Sequence, residues 1–162
     1  MPNVRADGVA VYVYRKTPLL EFLQIRRSAK TGEYQGSWQT VYGGVEQGET
    51  AVQAALRELK EETGLAPIDM WQVEYVETFY FRPHDYVLMM PVFAVEVARD
   101  APITLNEEHD DHRWVQEARI DSSFMWRTQR DALKFLLEAL HEQTNNSGMA
   151  SAMHFLKVKN GK

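Results

Sequence analysis

The chain has 162 residues, a formal net charge of −5 and a charged fraction of 25%, with 44% hydrophobic residues. That is the length and balance of one soluble globular domain with a real core, and the acidic excess argues against a nucleic-acid coat or a membrane-surface protein. With no cysteine, disulfides, thiolate metal sites and cysteine nucleophiles are excluded. The N-terminus has no apolar run of signal length, and no stretch approaches a membrane span, so a cytoplasmic protein is the expectation.

In chain order, residues 4–15 alternate Val9, Val11 and Val13 against Ala10, Tyr12 and Tyr14, a strand with both faces covered. Residues 20–27 form a second strand ending in Arg26 and Arg27. Period-2 geometry sends these to opposite faces, so only one can look into a cleft and hold a phosphate with its guanidinium fork. The other is a solvated strand end. A polar loop over 28–36 leads to a strand over 37–42. Residues 71–81 and 86–97 read as a long hairpin, in which Pro91 demands an edge position or a bulge. A short strand over 113–116 follows. Residues 124–141 form an amphipathic helix with Leu133, Leu136, Leu137 and Leu140 inward. Residues 1–143 thus read as a single domain, and 144–162 as a mobile tail with Met153, His154, Phe155 and Leu156 as its apolar segment.

The stretch with chemical content is GGVEQGETAVQAALRELKEETGL, residues 43–65. Thr50 with Gln53 forms a capping box that starts a helix near Ala51, and Gly64 and Pro67 end it. Val52, Ala55, Leu56 and Leu59 give it an apolar face. Glu58, Glu61 and Glu62 share one strip at i, i+3 and i+4. Like charges at that spacing cost roughly 0.2–0.5 kcal/mol per pair unless a cation lies over them. Hard oxygen donors in a cluster suit Mg²⁺, with Mn²⁺ as a substitute. Such ions neutralise a pyrophosphate and acidify a bound water, as hydrolysis of a diphosphate linkage requires.

Gly43, five residues, Glu49, seven residues and then Arg57-Glu58-Leu59-Lys60-Glu61-Glu62-Thr63-Gly64-Leu65 resembles the Nudix box at every fixed position. The resemblance implies an α/β fold, the Nudix α/β/α sandwich with a mixed β-sheet. It implies Glu58, Glu61 and Glu62 as metal ligands, with Glu62 bridging, and Arg57 paired to Glu49 so that loop and helix hold together. The commoner lead-in has a proline before the glycines. Tyr42 stands there instead, and its backbone carbonyl is the matching ligand position. The run EEHDDHRW, residues 107–114, resembles the later loop of triphosphate- and dinucleoside-polyphosphate-cleaving members, with Glu108 as a further ligand or the general base and Glu58 as the second candidate. His109 and His112 are surface or supporting residues.

Tyr34, Trp38, Phe79, Phe81 and Tyr86 are available to stack on a base or to pack the sheet. The expectation is a Mg²⁺-dependent pyrophosphohydrolase of small nucleotide-type substrates, a nucleoside triphosphate first. Dinucleoside polyphosphates, nucleotide sugars and pterin triphosphates are alternatives, as is a Nudix-fold nucleotide sensor without catalysis. No nucleic-acid polymer or membrane partner is expected, and a homodimer is left open.

Overall fold

A computed structural model describes residues 1–145 and 157–158. The strands are β1 (Asn3–Arg5), β2 (Gly8–Lys16), β3 (Leu20–Arg27), β4 (Trp38–Gln39), β5 (Val41–Gly44), β6 (Asp69–Phe81), β7 (Tyr86–Glu96) and β8 (His109–Gln116). The helices are α1 (Ala51–Thr63), α2 (Ile120–Ser123) and α3 (Arg127–Asn145).

All the strands belong to one mixed sheet. β2 runs parallel to β7 and antiparallel to β3 and β5. β7 also pairs with β1 in parallel and with β6 antiparallel, and β8 lies antiparallel along β3. The alternation of β2 explains the layering. Val9, Val11 and Val13 enter a core with Ala54, Ala55 and Leu59 of α1. Ala10, Tyr12 and Tyr14 enter a second core with Leu133, Leu136 and Leu140 of α3. One strand thus supplies both layers of the sandwich, each fully buried aliphatic side chain contributing roughly 1.5–3 kcal/mol.

The helix α1 begins as its sequence dictates. The Thr50 side chain accepts from the Gln53 amide, the Gln53 side chain accepts from the Thr50 amide, and Gly64 closes the helix in the left-handed region at φ 71°.

Several elements differ from the sequence reading. The first strand is broken into β1 and β2, and the lead-in strand into β4 and β5, with Thr40 between. The strand read over 113–116 starts at His109, so the second half of the acidic run is sheet, held in register with Arg27, Arg26 and Ile25. The final helix starts at Arg127, preceded by the separate turn α2. Pro91 is not at an edge. β7 has neighbours on both sides, and Pro91 sits beside the register break in β6 and between the stretches of β7 that pair with β1 and with β2. Its other expected setting, a bulge, is the one found.

Of the tail read as mobile, residues 146–156, with the apolar segment over 153–156, and residues 159–162 lie outside the described residues. Lys157 and Val158 lie along the outer edge of β6: Val158 N–H donates to Met70 O at 2.9 Å, and Lys157 Nζ meets Asp69 at 2.5 Å.

Candidate active site

The inward stripe of α1 runs Ala55, Leu59, Glu62, at i, i+4 and i+7. Glu62 therefore continues the buried face of the helix rather than lying beside it, and is only 4% exposed. Its Oε2 has no hydrogen-bond partner among the described residues. Burial pushes its carboxyl well above the ordinary range, and the charges of Glu58 and Glu108 push it further, while Arg27 pulls it back. An unpaired buried carboxylate facing two others is destabilising on its own.

Glu58 lies at the margin of the buried face. Its oxygen accepts from Arg57 Nη1 at 2.8 Å, and the Gly44 amide also donates to it. Burial raises its carboxyl more than Arg57 and Gly44 lower it. Gly43 lies against Glu58 so closely that the strand end and the helix share one wall. The Glu61 side chain is 56% exposed and meets Arg57 Nη1 at 3.1 Å. Arg57 organises the corner: its Nε and Nη2 donate to the two oxygens of Glu49, each at 3.0 Å, and Nη2 also donates to Gly44 O at 2.7 Å. Loop, strand end and helix are tied by this one guanidinium.

The two arginines of β3 separate as period-2 geometry requires. Arg27 lines the cleft and donates to Glu33 O at 3.1 Å. Arg26 pairs with Asp110 at 2.7 Å on an exposed surface. Glu108 is exposed, on a loop fixed by Ser28 N–H donating to its carbonyl at 2.8 Å. Of the two settings expected for the histidines, surface or supporting, His112 takes the surface one, and His109 is buried. Burial and the nearby Arg27 lower His109 to about 4, so it is a neutral imidazole.

Among the described residues no three acidic or imidazole side chains converge into a ready metal cage, because Arg57 draws Glu58 and Glu61 toward itself. The donor set still fits a hard divalent cation, as the orphaned oxygen of Glu62 and the raised carboxyls of Glu58 and Glu62 indicate.

Beyond Gly43 and Gly44 opens a cavity of about 370 Å³, walled by Tyr34, Phe79, Phe81 and Trp126 and floored by Tyr42, Glu77 and Met90. Tyr34, Phe79, Phe81 and Tyr86 thus line the cleft. Trp38 does not, since the Arg113 guanidinium covers its ring at 4.2 Å. The sequence reading overlooked Glu77, Gln39 and Trp126. The signal for Glu77 was a lone carboxylate in the same alternation as Tyr75, Phe79 and Phe81. Tyr42 OH donates to Glu77 Oε2 at 2.9 Å and accepts from Gln129 Nε2 at 3.1 Å, and Tyr12 OH donates to Glu77 Oε1. Tyr42 is therefore anchored through its side chain just where the chain enters the two glycines.

The comparisons with known proteins agree with this geometry. The NUDIX domain pattern matches residues 4–136. A Myxococcus xanthus protein named octanoyltransferase is 36% identical over 116 residues, covering 70% of this chain. The chain spans only 31% of that protein's length. A nucleoside triphosphatase NudI of Klebsiella pneumoniae is 31% identical over 110 residues, covering 61% of this chain and 78% of that protein. The crystal structure of a protein described as a NUDIX hydrolase from Listeria monocytogenes superposes with a TM-score of 0.71 at 25% identity, covering 86% of this chain and 97% of that one. The chain belongs to the NUDIX domain family.

Proposed function

We propose that the protein is a Mg²⁺-dependent hydrolase that cleaves the diphosphate linkage of nucleoside-diphosphate-linked compounds. Its first substrate class is a nucleoside triphosphate, giving the monophosphate and pyrophosphate. The observation that carries the proposal is Glu62, a buried carboxylate with a free oxygen, facing Glu58, Glu108 and Arg27. Arg27 offsets only part of the cost of burying this carboxylate beside two others, and a further cation is needed to balance it.

In this proposal Glu58, Glu61, Glu62 and the Tyr42 carbonyl hold Mg²⁺, with Mn²⁺ able to replace it. When bound, the ion supplies charge neutralisation at the diphosphate and a water of lowered pKa. The chain's own groups do the rest. Arg27, on the cleft side of β3, binds a phosphate oxygen through its fork. Glu108 accepts the proton of the attacking water or joins the metal shell, with Glu58 next in line as the base. Arg57, clamped on Glu49 and Gly44 O, fixes the loop so that donors and phosphate meet in one geometry.

The triphosphatase named among the relatives supports the substrate class. Dinucleoside polyphosphates, nucleotide sugars and pterin triphosphates are the competing substrates. A non-catalytic sensor is disfavoured because each carboxylate of the box is present. Residues 1–143 act as one domain in this proposal, in the cytoplasm, and among the described residues no helix is long and apolar enough to cross a membrane.

The test is a substrate panel with Mg²⁺, products resolved by anion-exchange chromatography, repeated in excess EDTA. Mg²⁺-dependent release of pyrophosphate from a nucleoside triphosphate is expected. Full turnover in chelator, or no cleavage of any diphosphate-linked compound, refutes it.

A further inference from the structure

Glu77 is 1% exposed and forms no ion pair among the described residues. The groups that face it are hydroxyls, from Tyr12, Tyr42 and Thr128. A buried carboxylate without a cation costs several kcal/mol, and a sheet interior built only for packing would hold an apolar residue there. Glu77 lines the same cavity as Tyr34, Phe79, Phe81 and Trp126. Those rings meet edge to face or tilted, with centroids 5.5–6.4 Å apart. The cavity also borders Gly43, Gly44 and Arg27, so a molecule whose phosphates lie on the carboxylate strip can place its other end here. Gln39 lines it too, and its side-chain amide makes no hydrogen bond among the described residues.

We propose that this cavity takes the heteroaromatic ring of the substrate, and that Glu77 selects rings bearing a 2-amino-4-oxopyrimidine edge, the edge common to guanine and pterin. This rests on the hydrolase reading above. A carboxylate offers about four acceptor positions and no donor. Three hydroxyls leave room for a ring N–H, and the Thr128 hydroxyl lines the cavity, where it can turn to yield a second position.

The four common bases differ in what they present to such an acceptor. Adenine and cytosine set a ring lone pair beside their amino group, and uracil sets its one N–H between two carbonyls. Both arrangements bring lone pairs against the carboxylate. The 2-amino-4-oxo edge presents its ring N–H and amino N–H side by side. The Gln39 amide, able to donate or accept, serves the ring carbonyl, and the aromatic walls cover the ring faces.

The experiment has a binding arm and a turnover arm. Calorimetric titration of GMP, IMP, AMP, CMP and UMP, in Mg²⁺, reads the cavity without chemistry. GMP is expected to bind at least ~10-fold more tightly than AMP, CMP or UMP, with IMP between, because a site built for N–H donors rejects rings lacking them. Glu77→Gln should bring these affinities within about twofold of one another. In the second arm, kcat/KM is measured for GTP, ATP, CTP, UTP and dihydroneopterin triphosphate. The first and last are expected to lead, and whichever of the two is higher names the source of the edge. If Glu77→Gln does not fold, Trp126→Ala, on the cavity wall, should weaken GMP at least ~10-fold.

Equal affinities in the wild type, or selectivity retained in Glu77→Gln, overturn the proposal. Where triphosphates are cleaved without base preference, the ring site falls and the hydrolase reading stands. Selective GMP binding without cleavage of any triphosphate would leave the ring site standing and remove the hydrolase reading.

Discussion

A side-chain carbon on Gly43 would lie 2.0 Å from Cγ of Glu58. The strand end and the helix touch through the absence of a methyl group, and Glu58 can occupy its place only because residue 43 is glycine. Its φ is not positive, so the requirement is one of space and not of backbone conformation.

Gly43→Ala should therefore act on catalysis by displacing Glu58, with turnover falling roughly 10²-fold, as expected for a misplacement of about 1 Å at a reacting centre. Far-ultraviolet circular dichroism should be unchanged. Wild-type turnover in Gly43→Ala would show that Glu58 has no part in the chemistry.

Arg57 reaches Glu49, Glu58, Glu61 and Gly44 O together. Arg57→Ala should lower both Tm and turnover, the latter by about 10²-fold or more. Arg57→Lys should restore little, because an ammonium cannot make the two-point contact with Glu49. A lysine variant with full activity would reduce the guanidinium to a simple counter-charge.

Glu62 links stability to pH in a direction opposite to most carboxylates. Its folded-state pKa lies above the ordinary 4.5. Below that ordinary value both folded and unfolded chains are protonated and there is no penalty. As pH rises the unfolded chain ionises first, and the penalty is complete once pH passes the folded-state value. Without metal, Glu62→Gln should thus raise Tm at pH 8 but not at pH 4, by about 2–4 °C for each kcal/mol relieved. Thermal scans at the two pH values check this. A lower Tm at pH 8 would mean that Glu62 is already satisfied in the metal-free protein.

The roles of Glu62 and Glu108 separate by metal affinity. Glu62→Gln should weaken Mn²⁺ binding to the substrate-free protein and lower turnover by roughly 10³-fold or more. Glu108→Gln should leave Mn²⁺ binding nearly intact while slowing the reaction by about 10²-fold or more, as for a general base. The measurement is Mn²⁺ titration by paramagnetic relaxation, with rates at saturating metal. Wild-type rates in Glu108→Gln would make Glu58 the candidate base, and lost Mn²⁺ binding would put Glu108 in the metal shell.

The parts of the site visible in the sequence are those set by local rules. The Thr50 box, the Gly64 cap, the i, i+3, i+4 acids and the opposed Arg26 and Arg27 all follow from helix and strand periodicity within a few residues. The burial of Glu62 depends on its phase with Ala55 and Leu59, which the sequence shows but which the acidic strip masked. Glu77 is different in kind. Its meaning comes from Tyr12, Tyr42 and Thr128, brought together from three distant elements, and no local pattern joins them. Pro91 shows the same limit: its strand pattern allowed an edge or a bulge, and only the pairing of β7 with β1, β2 and β6 decides between them.

The two described residues of the C-terminal segment have a consequence for how the molecule meets other copies of itself. β6 bonds to β7 along one side, and Lys157 and Val158 occupy its other side at Trp71 and Met70. The chain thereby shields with its own backbone a stretch of strand edge that would otherwise be open to pairing with another polypeptide. Lys157 adds a charge over the Trp71 ring at 5.1 Å, a residue type that opposes edge-to-edge stacking. A chain ending at residue 145 would lose this shield, and its tendency to self-associate through the Met70–Trp71 stretch of β6 would rise.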